Sequence, residues 1–152
     1  MSKLILMCGV PGSGKSTWIK NNKSEADLWI SRDRIRFEKL KEGDDYFAFE
    51  DIVFEQFIEE IACGLEMDKT VIADATHLNR KSRAKVLNKV AKFADEIEAI
   101  VMDVHLETAL ERNDNRTGRA FVPRGVIRRM FFQMEAPTRD EGFDKITFIR
   151  ED

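Results

Sequence analysis

Cysteine is nearly absent from these 152 residues: Cys8 and Cys63 stand alone and far apart. That excludes a disulfide framework and a cysteine-based zinc site. Long apolar runs are missing too. No stretch approaches the roughly 20 apolar residues that a membrane helix needs. The short run after Met1-Ser2-Lys3 meets Gly9 too early for a secretory signal. Nor is there an excess of one charge. The 25 Lys and Arg against 28 Asp and Glu leave a formal net charge of -3, which excludes a binder of nucleic acid through bulk positive charge. Repeats, low-complexity tracts and Pro/Gly/Ser linkers are lacking, so a single domain over residues 1–152 is expected. The 43% hydrophobic share, with 11 Phe, excludes a disordered chain. A soluble domain with no membrane partner, in a reducing, cytoplasmic setting, is the class that remains.

What is present alternates between two patterns. Short apolar runs predict strands at Lys3–Cys8, Leu28–Ile30, Thr70–Ala73, Ile97–Val104 and Lys145–Ile149. Helical spacing predicts helices at about Lys15–Asn21, Tyr46–Met67, Asn79–Phe93, Leu106–Asn115 and Pro123–Met134, the last with proline in its first turn. Strand-helix alternation of this kind predicts an α/β fold, a five-stranded and mostly parallel sheet with helices on both faces. Ligands of such sheets lie at the carboxyl ends of the strands. Three strands deliver chemistry there: a glycine loop after the first, Asp33 after the second and Asp74 after the third.

Gly9-Val10-Pro11-Gly12-Ser13-Gly14-Lys15-Ser16-Thr17 fits G-x-x-x-x-G-K-[ST] in full, between a strand and a helix. Its glycines let successive backbone N–H groups face phosphate oxygens, and the following helix presents its positive end to the same anion. Lys15 reaches the β and γ phosphates, and the Ser16 hydroxyl is a Mg²⁺ ligand. A P-loop NTPase fold binding ATP with Mg²⁺ is expected, with Gly9, Pro11, Gly12, Ser13, Gly14, Lys15, Ser16 and Thr17 as the nucleotide site.

The acceptor must be read elsewhere. Asp33 could orient an attacking hydroxyl and take its proton. Arg36 lies one helical turn on and could hold an acceptor phosphate by its planar fork. The plainer alternative makes Asp33 a helix N-cap. Asp74 suits a water on the metal, its alternative being a cap for the next helix. Arg112 and Arg116, spaced i,i+4, would point the same way from a helix that Gly118 stops, supplying positive charge to the transferring group. The alternative there is a basic helix end facing its own dipole. The Lys39–Asp45 stretch is expected to border the acceptor groove. His77 and His105 are left outside the chemistry, and Arg124, Arg128 and Arg129 read as a solvated face.

With these segments in order, the chain resembles the 5′-hydroxyl polynucleotide kinase family of P-loop phosphotransferases. The likeness rests on the phosphate loop through Trp18, on Arg32-Asp33 with Arg36, on Asp74-Ala75-Thr76 with Asn79, and on Arg112-Asn113 with Arg116. Gln133 to Thr138 followed by Glu141-Gly142-Phe143 extends it to the end of the kinase domain. The resemblance implies transfer of the γ-phosphate of ATP to the 5′-OH end of DNA or RNA. It makes Asp33 the general base, Arg36 the contact to the acceptor phosphate, and Lys15 and Arg116 the catalytic cations. Arg112 and Arg116 would engage the ATP phosphates, and Ser16 and Asp74 the metal. No D-x-D-x-T phosphatase signature occurs, so a separate phosphatase or ligase is the partner the resemblance suggests. Arg119 has no assigned role, and nothing in the sequence fixes an oligomeric state. Two other functions fit the same phosphate loop: a small-molecule or nucleotide kinase, and a non-catalytic NTP-binding switch or regulatory ATPase.

Overall fold

The computed structural model describes residues 1–45, 48–118 and 121–150. The expectations attached to Tyr46 and Arg119 fall outside these. Five strands form one sheet: β1 (Lys3–Cys8), β2 (Leu28–Ser31), β3 (Thr70–Asp74), β4 (Glu96–Asp103) and β5 (Lys145–Arg150). Their order is β2-β3-β1-β4-β5, and every neighbouring pair is parallel. β1 is therefore central, and its buried run Leu4 to Cys8 has no polar side to show.

Alternation along the strands sorts the core. One face carries Leu4, Leu6, Cys8, Val71, Ala73, Ala99 and Val101. These pack on α3 (Glu50–Glu66) through Val53, Phe57 and Ile61, and on α4 (Arg80–Val90) through Val86, Leu87 and Val90. The other face carries Ile5, Met7, Ile72, Ile100 and Met102 and meets Ile19 of α1 (Lys15–Asn22), with Trp18 and Trp29 alongside. A smaller cluster joins Val10 of the glycine loop to Ala109 and Leu110 of α5 (Leu106–Asp114) and Ile127 of α6 (Arg124–Gln133). α3 presses closest at Gly64, where an added Cβ would sit 2.7 Å from Val71 and 2.8 Å from Leu28. Among the described residues, no helix is long and apolar enough to cross a membrane.

Several local expectations change. α2 (Arg32–Lys39) is capped by Ser31, whose side chain accepts from the Arg34 N–H, so Asp33 is not the cap. Asn79, not Asp74, caps α4, in a reciprocal pair with Ser82. Pro123 stands before α6 rather than in its first turn. α5 ends at Asp114, short of Gly118, with Asn115 at its C-terminal cap. Gly118 does take a left-handed φ of 61°, but beyond the helix. Arg116 thus leaves the helix that carries Arg112, and the i,i+4 argument for their common direction fails. The chain closes around them differently. The buried Asn113 amide donates to Val122 O at 2.5 Å and accepts from Val122 N–H at 2.9 Å.

Candidate active site

The glycine loop opens from β1 and is bonded on both sides. Gly9 N–H donates to Thr76 O at 2.9 Å, and Ser13 N–H to Val10 O at 3.1 Å. Gly12 and Gly14 take φ of 84° and 97°, a region that side chains with a Cβ disfavour. Space demands glycine as well: a Cβ on Gly12 would meet Ala109 O of α5 at 2.4 Å. Lys15 folds back over the loop, its Nζ 2.8 Å from Gly9 O and 3.1 Å from Val10 O. α1 has no acidic residue in its first turn and no side-chain cap, so its N–H groups keep their positive field for an anion. The buried Ser13 Oγ has no hydrogen-bond partner among the described residues. A cradle of amides, an uncapped helix start and an orphaned hydroxyl fit a polyphosphate.

Asp74 ends β3 beside this loop, buried, and its Oδ2 accepts the Trp29 indole N–H at 2.9 Å. Burial raises its pKa, against the pull of Lys15 and the indole. Burial lowers that of Lys15, while Asp74 and then Asp33 draw it upward and Arg116 opposes them. Lys15, Asp74, Asp33 and Arg116 thus share one electrostatic neighbourhood, although they come from four separate stretches of chain. Among the described residues no group of three or more His, Cys, Asp or Glu makes a ready cation cage. The oxygen donors that would hold Mg²⁺ beside a bound polyphosphate are the Ser16 hydroxyl at the start of α1 and the Asp74 carboxylate.

The acceptor candidates come together too. Arg36 is buried on α2 and its Nη1 donates to the Asp33 carboxylate one turn back. Its other edge is gripped by Glu50 at the start of α3, Nε to Oε1 at 2.5 Å and Nη2 to Oε2 at 3.2 Å. Arg32 joins the same carboxylate at 3.1 Å. Burial would raise the Glu50 pKa, yet its bonds to the two arginines more than offset this and hold it below the ordinary value. Asp33 itself is exposed. Lys39 belongs to the last turn of α2, Leu40 is buried, and Lys41 to Asp45 are exposed. Arg112 and Arg116 are partly buried near the end of α5. Arg124, Arg128 and Arg129 are exposed.

Sequence reasoning missed two residues of this site, Glu50 and Trp29, while His77, left outside the chemistry, takes a structural place beside it. Glu50 is fourteen positions from Arg36, and no motif announces it. Trp29 reads as an ordinary strand residue, but Ser31 pairs with Asp74, so Trp29, two residues earlier, reaches it diagonally. His77 is buried, with a φ of 44° and its Nδ1 2.6 Å from Met7 O. A carbonyl only accepts, so Nδ1 carries the proton. Burial pushes its pKa down to about 4, which makes it a neutral pin between β1 and the loop after β3.

Residues 4–137 match the AAA domain family. A protein of Autographa californica nuclear polyhedrosis virus, named as a bifunctional polynucleotide kinase/RNA ligase, is 31% identical over 132 residues, 76% of this chain and 18% of that protein. A chain of the Pnkp1/Rnl/Hen1 RNA repair complex superposes with a TM-score of 0.76 at 25% identity, covering 87% of this chain and 43% of its own. A sugar kinase from Janibacter shares the fold, with a TM-score of 0.68 at 16% identity over 99% of this chain and 86% of its own. The chain thus spans less than half the length of the viral protein and of the RNA repair complex chain.

Proposed function

Because the chain belongs to the AAA domain family and has the P-loop kinase fold, we propose that it is an ATP-dependent kinase for the 5′-OH end of DNA or RNA. The observation that carries this reading is the pairing of Asp33 with a buried, doubly held Arg36 beside the phosphate loop. A carboxylate that accepts a proton and an arginine fork that accepts a phosphate are what a hydroxyl flanked by a phosphodiester requires. Likeness to the viral polynucleotide kinase/RNA ligase and to the RNA repair complex supports the same acceptor.

In this reading the loop amides and Lys15 hold the β and γ phosphates, with Arg112 and Arg116 adding positive charge from the end of α5. Mg²⁺, which Ser16 would hold directly and Asp74 through a water, would neutralise charge on those phosphates when bound. Asp33 accepts the proton of the 5′-OH as its oxygen bonds to the γ-phosphorus, and the bond from that phosphorus to the bridging oxygen breaks to release ADP. Arg36 orients the acceptor through its phosphate. A ligase or phosphatase acting on the same ends is the partner class that the relatives' names suggest, and one kinase domain over residues 1–152, in the cytoplasm, completes the proposal.

The test is γ-phosphate transfer from labelled ATP to a panel of acceptors. Labelling of 5′-OH oligonucleotides, and none of 5′-phosphorylated ones, is expected. Transfer to a sugar or nucleoside instead would favour the small-molecule reading that the Janibacter sugar kinase fold keeps in view. ATP hydrolysis that is indifferent to every acceptor would favour a regulatory ATPase.

A further inference from the structure

Trp29 is one of two tryptophans in the chain, and it does something that strand packing alone does not require. β2 is an edge strand of the sheet. Its register pairs Trp29 with Ile72 and Ser31 with Asp74. The indole lies on the face that holds Ile5, Met7, Ile19 and Ile72, with Trp18 of α1 in the same cluster. From there its N–H reaches diagonally to Asp74 Oδ2 at 2.9 Å. This is the hydrogen bond found for that carboxylate among the described residues, and Asp74 is 8% exposed. A buried carboxylate held by a rigid donor has one oxygen committed and its rotation restrained. A phenylalanine would fill the same apolar site without offering that donor.

The same strand runs directly into Ser31, the cap of the helix that bears Asp33. One short segment therefore braces the metal-side carboxylate and starts the acceptor-side helix. We infer that Trp29 is a positioning residue for Asp74, holding its carboxylate in the orientation that receives Mg²⁺-bound water, so that metal-dependent nucleotide affinity depends on the indole N–H. The inference rests on the nucleotide and metal reading given above. It is independent of which acceptor is used.

The group that orients a metal-side ligand is worth about 10- to 100-fold in metal affinity when removed. Calorimetric titration of ATP into wild type and Trp29→Phe, each with Mg²⁺ and with EDTA, separates the roles. Expected is an affinity in EDTA within about twofold of wild type, and an Mg²⁺-dependent gain smaller by about tenfold. Adding Asp74→Asn to Trp29→Phe should cost little more than Asp74→Asn alone, because the two share one interaction. A second readout leaves the indole in place. In Trp18→Phe, Trp29 is the sole tryptophan, and its fluorescence should change on adding Mg²⁺ with ATP, not on adding ATP in EDTA. That change should vanish in Trp18→Phe/Asp74→Asn. A full Mg²⁺-dependent gain in Trp29→Phe would overturn the inference, and so would an equal loss with and without metal. A Trp29 emission blind to Mg²⁺ would overturn it as well. If wild type binds ATP no better with Mg²⁺ than without, the nucleotide and metal reading itself fails.

Discussion

His77 illustrates how a residue without chemistry can still govern the site. Its neutral ring ties β1 to the loop after β3, at a backbone angle few side chains adopt. Unfolding exposes it to water, where its pKa returns to about 6.5. The folded value is near 4, so the unfolded state binds the proton first and stability falls as pH drops from about 6.5 towards 4. The gap corresponds to roughly 3 kcal/mol. Urea unfolding at pH 7.5 and pH 4.5 should show this loss in wild type, and His77→Gln, though less stable at pH 7.5, should lack that part of the slope. Glu50 belongs to the same scale. Its carboxylate fixes Arg36, so Glu50→Gln should raise the KM of an oligonucleotide acceptor by about tenfold, the size of one charge-assisted bond. The KM for ATP should stay near wild type. Steady-state kinetics with each substrate varied in turn checks the split.

Among the elements, α3 is the one most tightly fitted. Gly64 lets it approach Val71 and Leu28, and valine there would force the helix off the sheet at about 1–3 kcal/mol. Thermal melts of Gly64→Val should show the loss directly. Elements were also what the sequence disclosed best. All five strands lie within a residue or two of their expected places, because apolar runs bounded by glycine, polar or acidic residues leave few alternatives. The phosphate loop was legible for a different reason: closeness to backbone allows only glycine at Gly12. The end of α5 was not legible. Arg112 and Arg116 carry a helical spacing, but the helix stops at Asp114 and Asn113 bonds to Val122 across the following loop. A contact nine residues away in sequence leaves no periodic trace. The Glu50–Arg36 pair and the Trp29–Asp74 bond were hidden for the same reason, since both depend on how separate segments come to lie side by side.

The whole molecule is tied together by a buried cation far from the nucleotide loop in sequence. Arg83 on α4 is fully buried and donates to His77 O at 3.0 Å, to Glu135 O at 2.9 Å and to both oxygens of Glu141. It thus fastens the stretch before β5 to the loop after β3. Burial alone would raise the pKa of Glu141, but the bonds from Arg83 and the Thr138 N–H win and set it below the ordinary value. A depressed carboxylate stabilises the fold above its unfolded pKa and loses that contribution as pH falls through the folded one. Stability should therefore fall with pH in two parts, the histidine part first and the Glu141 part below pH 4.5. Arg83→Met should cost about 1–3 kcal/mol at neutral pH by leaving the carbonyls of His77 and Glu135 and one side of Glu141 without their donor, and should flatten the lower part. Urea unfolding followed by circular dichroism at a series of pH values resolves both.

The folded-back Lys15 has a bearing on how a nucleotide arrives. Its ammonium is engaged with two carbonyls of its own loop, so the lysine also serves as a strut that holds the loop in shape. Phosphate binding is then an exchange of partners rather than capture by a bare charge, and the loop has little left to order when the ligand enters. A lysine substitution made only to silence the protein would remove the strut as well. Lys15→Ala should accordingly melt earlier than wild type with no nucleotide in solution, by about 2–4 °C for each kcal/mol lost in a domain of this size. An unshifted melt would mean that the cradle stands without it.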